Sequence, residues 1–167
     1  MIVLDSSTLI LIAKIEALDL FLGGPKPEVA IPAEVEKECC AVKQSLDALM
    51  IRKAIAESRI RVVSVKNKRI IARLRADFGL GKGEAEAIAL ALAKKAPVVG
   101  IDDKNGINAC KLLGLGFTTA IGILIRMHER RLLAPDAALT KLATLGTYGR
   151  YKQSIMEDAR KRLEATA

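Results

Sequence analysis

The stretch from Gly79 to Asp103, GLGKGEAEAIALALAKKAPVVGIDD, constrains the fold more than any other part of the chain. A glycine-rich opening followed by an Ala/Leu/Ile/Glu run marks the start of a helix. Lys94, Lys95 and Pro97 mark its end, because cations suit a helix C-terminus and proline cannot continue the ladder. The apolar run Val98–Ile101 then reads as a short strand that delivers two aspartates, Asp102 and Asp103. The result is a helix-then-strand unit with Glu84 at one end and an acidic pair at the other. Carboxylates gathered at strand ends are costly unless something positive sits among them.

The same alternation recurs along the chain. Ile2-Val3-Leu4 is a strand that stops at Asp5, and Ser6, Ser7 and Thr8 offer N-cap hydroxyls for a helix running through Leu9, Ile12 and Leu18 to Phe21. Gly23–Pro27 reads as a loop and Val29–Ile31 as a second strand. Pro32 fits the first position of a helix through AEVEKECC, on which Glu34 and Glu38 share a face that Glu36 does not. Residues 44–57 read as an amphipathic helix with Leu46, Leu49, Met50, Ala54 and Ile55 on its apolar side. Ile60–Val65 reads as an edge strand or a short excursion. Later come a helix over Ile107–Leu113 closed by Gly114, a short strand at 116–119 and a helix over Ile121–Arg130. Beyond Pro135 lie two helical segments separated by Gly146 and Gly149. The first carries Leu139, Leu142 and Leu145, and the second Ile155, Met156, Ala159 and Leu163. This alternation predicts an α/β fold, a three-layer α/β/α arrangement around a mostly parallel sheet of about five strands. Residues 1–133 form the main body and 134–167 a helical appendage of the same domain.

A chain of 167 residues is long enough for one well-buried core. Its formal net charge of +8 suits a polyanionic partner, RNA or DNA first and an acidic protein second. Basic residues crowd between Arg52 and Arg75, and Arg69 and Arg73 are candidates for a phosphate track. Aromatic residues are only 3% of the chain, so stacking platforms for single strands are scarce. Three cysteines without metal-ligand spacing and one histidine, His128, exclude a zinc site and read as reduced thiols and an ordinary helix residue. Asp5 interrupts the first apolar run, and no run reaches spanning length. A cytoplasmic protein with no membrane contact is therefore expected.

The acids then share one kind of address. Asp5 ends the first strand, Asp102 and Asp103 end a later one, Glu84 opens the helix leading into it, and Glu38 follows the second strand. If the first and later strands are neighbours, their terminal carboxylates sit roughly 5–10 Å apart. Carboxylates that close would hold one or two hard cations, and oxygen-only ligands select Mg²⁺ or Mn²⁺. An acidic metal pocket in a basic protein suits phosphodiester hydrolysis, with metal-activated water inside and Lys and Arg holding the polyanion outside. Lys82 at the glycine-rich helix start is placed to help with a phosphate.

Four blocks, VLDSSTLI, IPAEVEKE, GLGKGEAEAIALA and VVGIDDKNGINACKLLGL, resemble in order and spacing the PIN-domain ribonuclease pattern over roughly residues 1–130. The likeness is greatest to small prokaryotic PIN-like proteins with a GEAEAIALA helix, the VapC-like toxins. That resemblance implies an acidic quartet of Asp5, Glu38, Glu84 and Asp103 that binds Mg²⁺ or Mn²⁺ and cuts RNA. Asp102 is the alternative to Asp103, and Glu34 to Glu38. The family's Thr-X-Asp is absent, and Ile101 has no hydroxyl, so Ser6 or Ser7 is left to orient a ligand. The resemblance also implies a homodimer silenced by a small antitoxin protein. A degenerate PIN-like module that binds RNA or protein without cutting is the alternative. A dehalogenase-like phosphatase needs an acid where Ser7 stands, a receiver domain needs an N-terminal acidic pair, and the glycines at 79, 81 and 83 lack the Gly-Lys-Ser/Thr of a phosphate loop.

Overall fold

A computed structural model describes residues 1–24, 28–41 and 44–165. Pro25–Pro27 of the expected first loop lie outside the described residues. Five strands form one parallel sheet: β1 (Ile2–Leu4), β2 (Val29–Pro32), β3 (Ile60–Val63), β4 (Val98–Gly100) and β5 (Phe117–Thr118). Their order is β3-β2-β1-β4-β5, so β3 is the edge strand that its sequence anticipated. The chain builds outward from β1 on one side and then returns to build on the other. The seam between β1 and β4 is therefore the topological switch point, where open α/β sheets present their binding crevice.

In-register pairing explains the two cores. Val3 lies opposite both Ala30 and Val99, and these three side chains face α5 (Lys68–Phe78), α6 (Lys82–Lys94) and α7 (Lys104–Leu112). Their neighbours Leu4, Val29 and Ile31 point the opposite way, as strand periodicity requires. There they pack with α1 (Ser6–Lys14), α3 (Ala33–Cys40), α4 (Leu46–Ala56) and α8 (Ala120–Glu129). The three-layer α/β/α architecture expected from the alternation is the one observed. Helix α6 is buried almost all round, with Ala85, Ala87, Ile88, Ala89 and Ala91 in the core. Its small residues let the sheet, α3, α5 and α7 all approach it closely.

Two C-terminal helices, α9 (Pro135–Tyr148) and α10 (Gln153–Ala165), complete the α8 side. Leu145 and Leu163 are fully buried in the same core as Leu4 and Leu9. His128, buried at the end of α8, places Nδ1 3.0 Å from the Leu133 carbonyl and Nε2 3.1 Å from the Leu163 carbonyl, tying α10 to the body. No helix among the described residues is long and apolar enough to cross a membrane.

Several local expectations are corrected. The first helix does not run to Phe21: it stops at Lys14, Glu16 turns with φ of 53°, and a second helix, α2, covers Leu18–Gly23. The Glu16 and Ala17 amides close that break on the Ala13 and Ile12 carbonyls, and Lys141 Nζ donates to the Ile15 carbonyl at 2.6 Å. Pro32 is the last residue of β2 and the N-cap of α3, because it pairs with Val63 before the helix starts. On α4 the buried face is Ala48, Ile51 and Ala54, while Leu46 and Leu49 are exposed. Gly146 sits within α9, where a side chain would meet Met156, so of the two glycines only Gly149 lies in the connection, residues 149–152, between the last two helices.

Candidate functional site

The acids meet at the carboxyl ends of β1 and β4. Leu4 pairs with Gly100, and the Asp5 amide donates to the Gly100 carbonyl at 2.9 Å, which brings Asp5 beside the Ile101–Asp103 corner. Asp5 is also the N-cap of α1, accepting from the Thr8 amide at 2.8 Å. Three consecutive hydroxyls in that first turn then reach three different carboxylates. Ser6 Oγ donates to Glu38 Oε2 at 2.5 Å, Ser7 Oγ to Asp5 Oδ2 at 2.7 Å, and Thr8 Oγ1 to Asp102 Oδ2 at 2.8 Å. Helical geometry makes this possible, since successive residues point about 100° apart around the axis. The hydroxyl that the Ile101 position lacks is thus supplied by Thr8, with Ser6 and Ser7 serving the neighbouring acids.

Each remaining acid is also held by donors of the fold. Asp102 accepts from the Ala120 amide at 2.9 Å and from the Tyr151 hydroxyl at 2.6 Å in addition to Thr8. Asp103 caps α7, its Oδ1 accepting from the amides of Asn105 and Gly106 at 2.7 and 3.1 Å. Glu84, third residue of α6, reaches back to the Gly81 amide at 2.9 Å. Glu38 accepts from the Gly83 amide at 3.1 Å as well as from Ser6, and a side chain at position 83 would lie within 2.3 Å of its carboxylate. Gly83 is therefore the residue that lets α6 approach Glu38.

Charge and burial set the titration of the cluster. Burial raises the Asp5 carboxyl from 3.8 to about 7, opposed by the Ser7 and Thr8 hydrogen bonds and reinforced by the nearby Asp102 charge. Glu84 is raised by burial and by Asp103 and Glu38 beside it, against the Gly81 hydrogen bond. Burial and the Asp102 carboxylate hold the Tyr151 hydroxyl in its protonated, donating form. Cys110 is pushed up to about 11 by burial and then by Asp5, which leaves it an unreactive thiol.

Glu84, Asp102 and Asp103 line a cleft of about 410 Å³ together with Ser7, Lys14 and Tyr148–Tyr151. The remaining sequence candidates lie elsewhere. Lys82 donates to Glu34 at 2.6 Å, which raises the lysine and lowers the glutamate, so this pair is mutually engaged. Arg69 and Arg73 line a separate hollow with Asn67 and Ile70 on α5. Elsewhere in the expected track, Arg59 is paired with Asp19 and Glu57, and Arg61 with Glu28. Thr8 entered the sequence reading only as a capping hydroxyl, although the Ser-Ser-Thr run directly after Asp5 was its signal. Tyr148 and Tyr151 gave no signal, because nothing local in the C-terminal segment points to an acid more than forty positions away.

The donor set is chemically that of a hard divalent cation, all carboxylate oxygen. Its arrangement is not: among the described residues, no group of three or more Asp, Glu, His or Cys side chains is gathered closely enough to hold a metal ion. The physical reason is visible in the hydrogen bonds. Amides and hydroxyls of four different helix starts and a tyrosine satisfy the acids one by one.

A parallel five-stranded sheet with helices on both faces and acids at its switch point matches a PIN-like α/β/α architecture. A family model described as PIN domain (DUF3368) matches residues 1–165, and the chain belongs to that family. A search of curated proteins finds no match to it.

Proposed function

We propose that this chain is a PIN-domain module that binds RNA at the cleft beyond β1 and β4, without cutting it. The observation that carries this reading is that hydrogen bonds from the protein occupy every acid of the cluster, with no trio among the described residues placed for a cation. The net charge of +8 and the cations Lys14 and Arg150 at the cleft mouth supply attraction for a polyanion.

A second reading is favoured by the convergence itself. Asp5, Glu38, Glu84, Asp102 and Asp103 come from four elements to one sheet end, and burial leaves Asp5 and Glu84 reluctant to ionise. In this reading the chain is a Mg²⁺- or Mn²⁺-dependent endoribonuclease, and the acids release their present donors to take the cation. The role of a toxin, a silencing antitoxin protein and a homodimer belong to this second reading and rest on resemblance.

The test is to incubate end-labelled single-stranded and structured RNAs with the protein in Mg²⁺, Mn²⁺ or EDTA, measuring retention and cutting, with Asp5→Asn and Asp103→Asn alongside. RNA retained equally in EDTA and left intact supports the module. Metal-dependent cutting lost in both variants establishes the nuclease and overturns the module. Absence of RNA binding under every condition overturns both.

A further inference from the structure

The chain contains two tyrosines, and both line the acid cleft. They flank the turn Gly149-Arg150 between α9 and α10, so four consecutive residues, Tyr148–Tyr151, form one wall of it. This wall is fixed in place. Tyr151 donates to Asp102 at 2.6 Å, and its ring packs so closely on Gly149 that a side chain there would come within 2.2 Å of a ring carbon. Tyr148 is held differently: it is 53% exposed, and Lys14 Nζ stands 4.5 Å from its ring centroid. Arg150 between them is exposed.

We propose that Tyr148 is a stacking platform for one unpaired nucleobase in this cleft, with Lys14 and Arg150 taking the flanking phosphates. This rests on the RNA-binding reading above and names the subsite within it. The ring is 53% exposed with Lys14 over one face, and every nucleobase presents a π-face that stacks on the other. The cleft volume lies within the range of about 300–1,000 Å³ typical of small-ligand sites, and so has room for a nucleotide. Lys14 over the ring and Arg150 in the cleft lining offset the carboxylates of Glu84, Asp102 and Asp103, which would otherwise repel a phosphate. A paired base cannot use such a platform, because both of its faces are already stacked on its neighbours in the duplex.

The experiment is fluorescence anisotropy of a short labelled single-stranded RNA of mixed sequence, its duplex, and single-stranded DNA of the same sequence, all at one salt concentration. Wild type is compared with Tyr148→Ala and Tyr148→Phe, with melting curves for each. Tyr148→Ala is expected to weaken single-strand binding about 5- to 100-fold, leaving duplex affinity unchanged, while Tyr148→Phe matches wild type. The same loss on RNA alone, or on RNA and DNA alike, supports the base contact and identifies the polymer accepted. Single-strand affinity unaltered by Tyr148→Ala overturns the inference and leaves the RNA-binding reading standing. An equal loss on single strand and duplex also overturns it, since a base platform does not act on a duplex. Wild type that binds no strand at all overturns both together.

Discussion

Thr8 Oγ1 donates to Asp102 Oδ2 at 2.8 Å, joining the first turn of α1 to the corner that follows β4. Both groups sit at the switch point: Thr8 is fully buried, and Asp102 also takes the Ala120 amide and the Tyr151 hydroxyl. The bond therefore links four segments through one carboxylate. Thr8→Val keeps the shape of the side chain but leaves a carboxylate oxygen short of a donor. A loss of about 1–3 kcal/mol is expected in denaturant unfolding, with Thr8→Ser restoring most of it. A Thr8→Val protein as stable as wild type would show that the hydroxyl is incidental.

Asp5 sets the pH dependence. Its carboxyl is raised from 3.8 to about 7, so the folded protein binds this proton more tightly than the unfolded chain does. The contribution is fully present below about pH 4 and is lost as pH rises toward 7, because the buried carboxylate must then ionise. Asp5→Asn removes that penalty and keeps an oxygen for the Thr8 amide. The variant is expected to be more stable than wild type by about 1–4 kcal/mol at pH 8, with the difference vanishing near pH 4. Unfolding curves across this range check it, and a difference that grows toward low pH would refute the burial account.

Gly83 tests how tightly the acids are packed. A Cβ there would stand 2.3 Å from Glu38 Oε2, against a carboxylate already held by the Ser6 hydroxyl and the Gly83 amide. Glycine is otherwise a poor residue in the first turn of a helix, so Gly83→Ala would be expected to stabilise α6 by propensity alone. The expected outcome is the reverse, a loss of about 1–3 kcal/mol from forced displacement of Glu38. Removing the obstacle as well, in Gly83→Ala/Glu38→Ala, should recover part of that loss, and a double-mutant cycle measures the coupling.

Much of the fold was legible because its signals are local. Val98–Ile101 between a proline and two aspartates, or Ile2–Leu4 ending at Asp5, declare themselves by short-range pattern, and their parallel pairing follows from the intervening helices. The family resemblance drawn from four ordered blocks agrees with the match over residues 1–165. What escaped is non-local or depends on side-chain direction. Leu46 and Leu49 looked like core, but which stripe of α4 faces inward is set by its neighbours. The break at Glu16, closed by the Ala17 amide on the Ile12 carbonyl, also receives Lys141 from a helix 125 positions away. At the site, sequence placed the acids at strand ends and helix starts but did not show that each would find its own donor: Asp103 reads as a ligand and as a helix cap with equal ease, and its hydrogen bonds from the amides of Asn105 and Gly106 are those of the cap.

His128 links the far end of the chain to the cleft. Its two ring nitrogens lie 3.0 and 3.1 Å from the carbonyls of Leu133 and Leu163, and the ring is buried. Leu163 belongs to α10, and the turn that precedes α10 carries Tyr151 onto Asp102. Truncating the ring removes its contact with both carbonyls and leaves a cavity beneath them, so His128→Ala is expected to cost about 2–4 kcal/mol. The loss should be uneven. Amide hydrogen exchange should accelerate first over residues 153–165, while β1 and β4 keep their protection, because α10 is held to the body by this contact and by Ala159 and Leu163. The ring of Tyr151 should then become accessible along with the helix, which solvent perturbation of tyrosine absorbance reads directly. Uniform acceleration across sheet and α10 alike would mean that the C-terminal helices unfold only with the whole domain, and that His128 is one core residue among others.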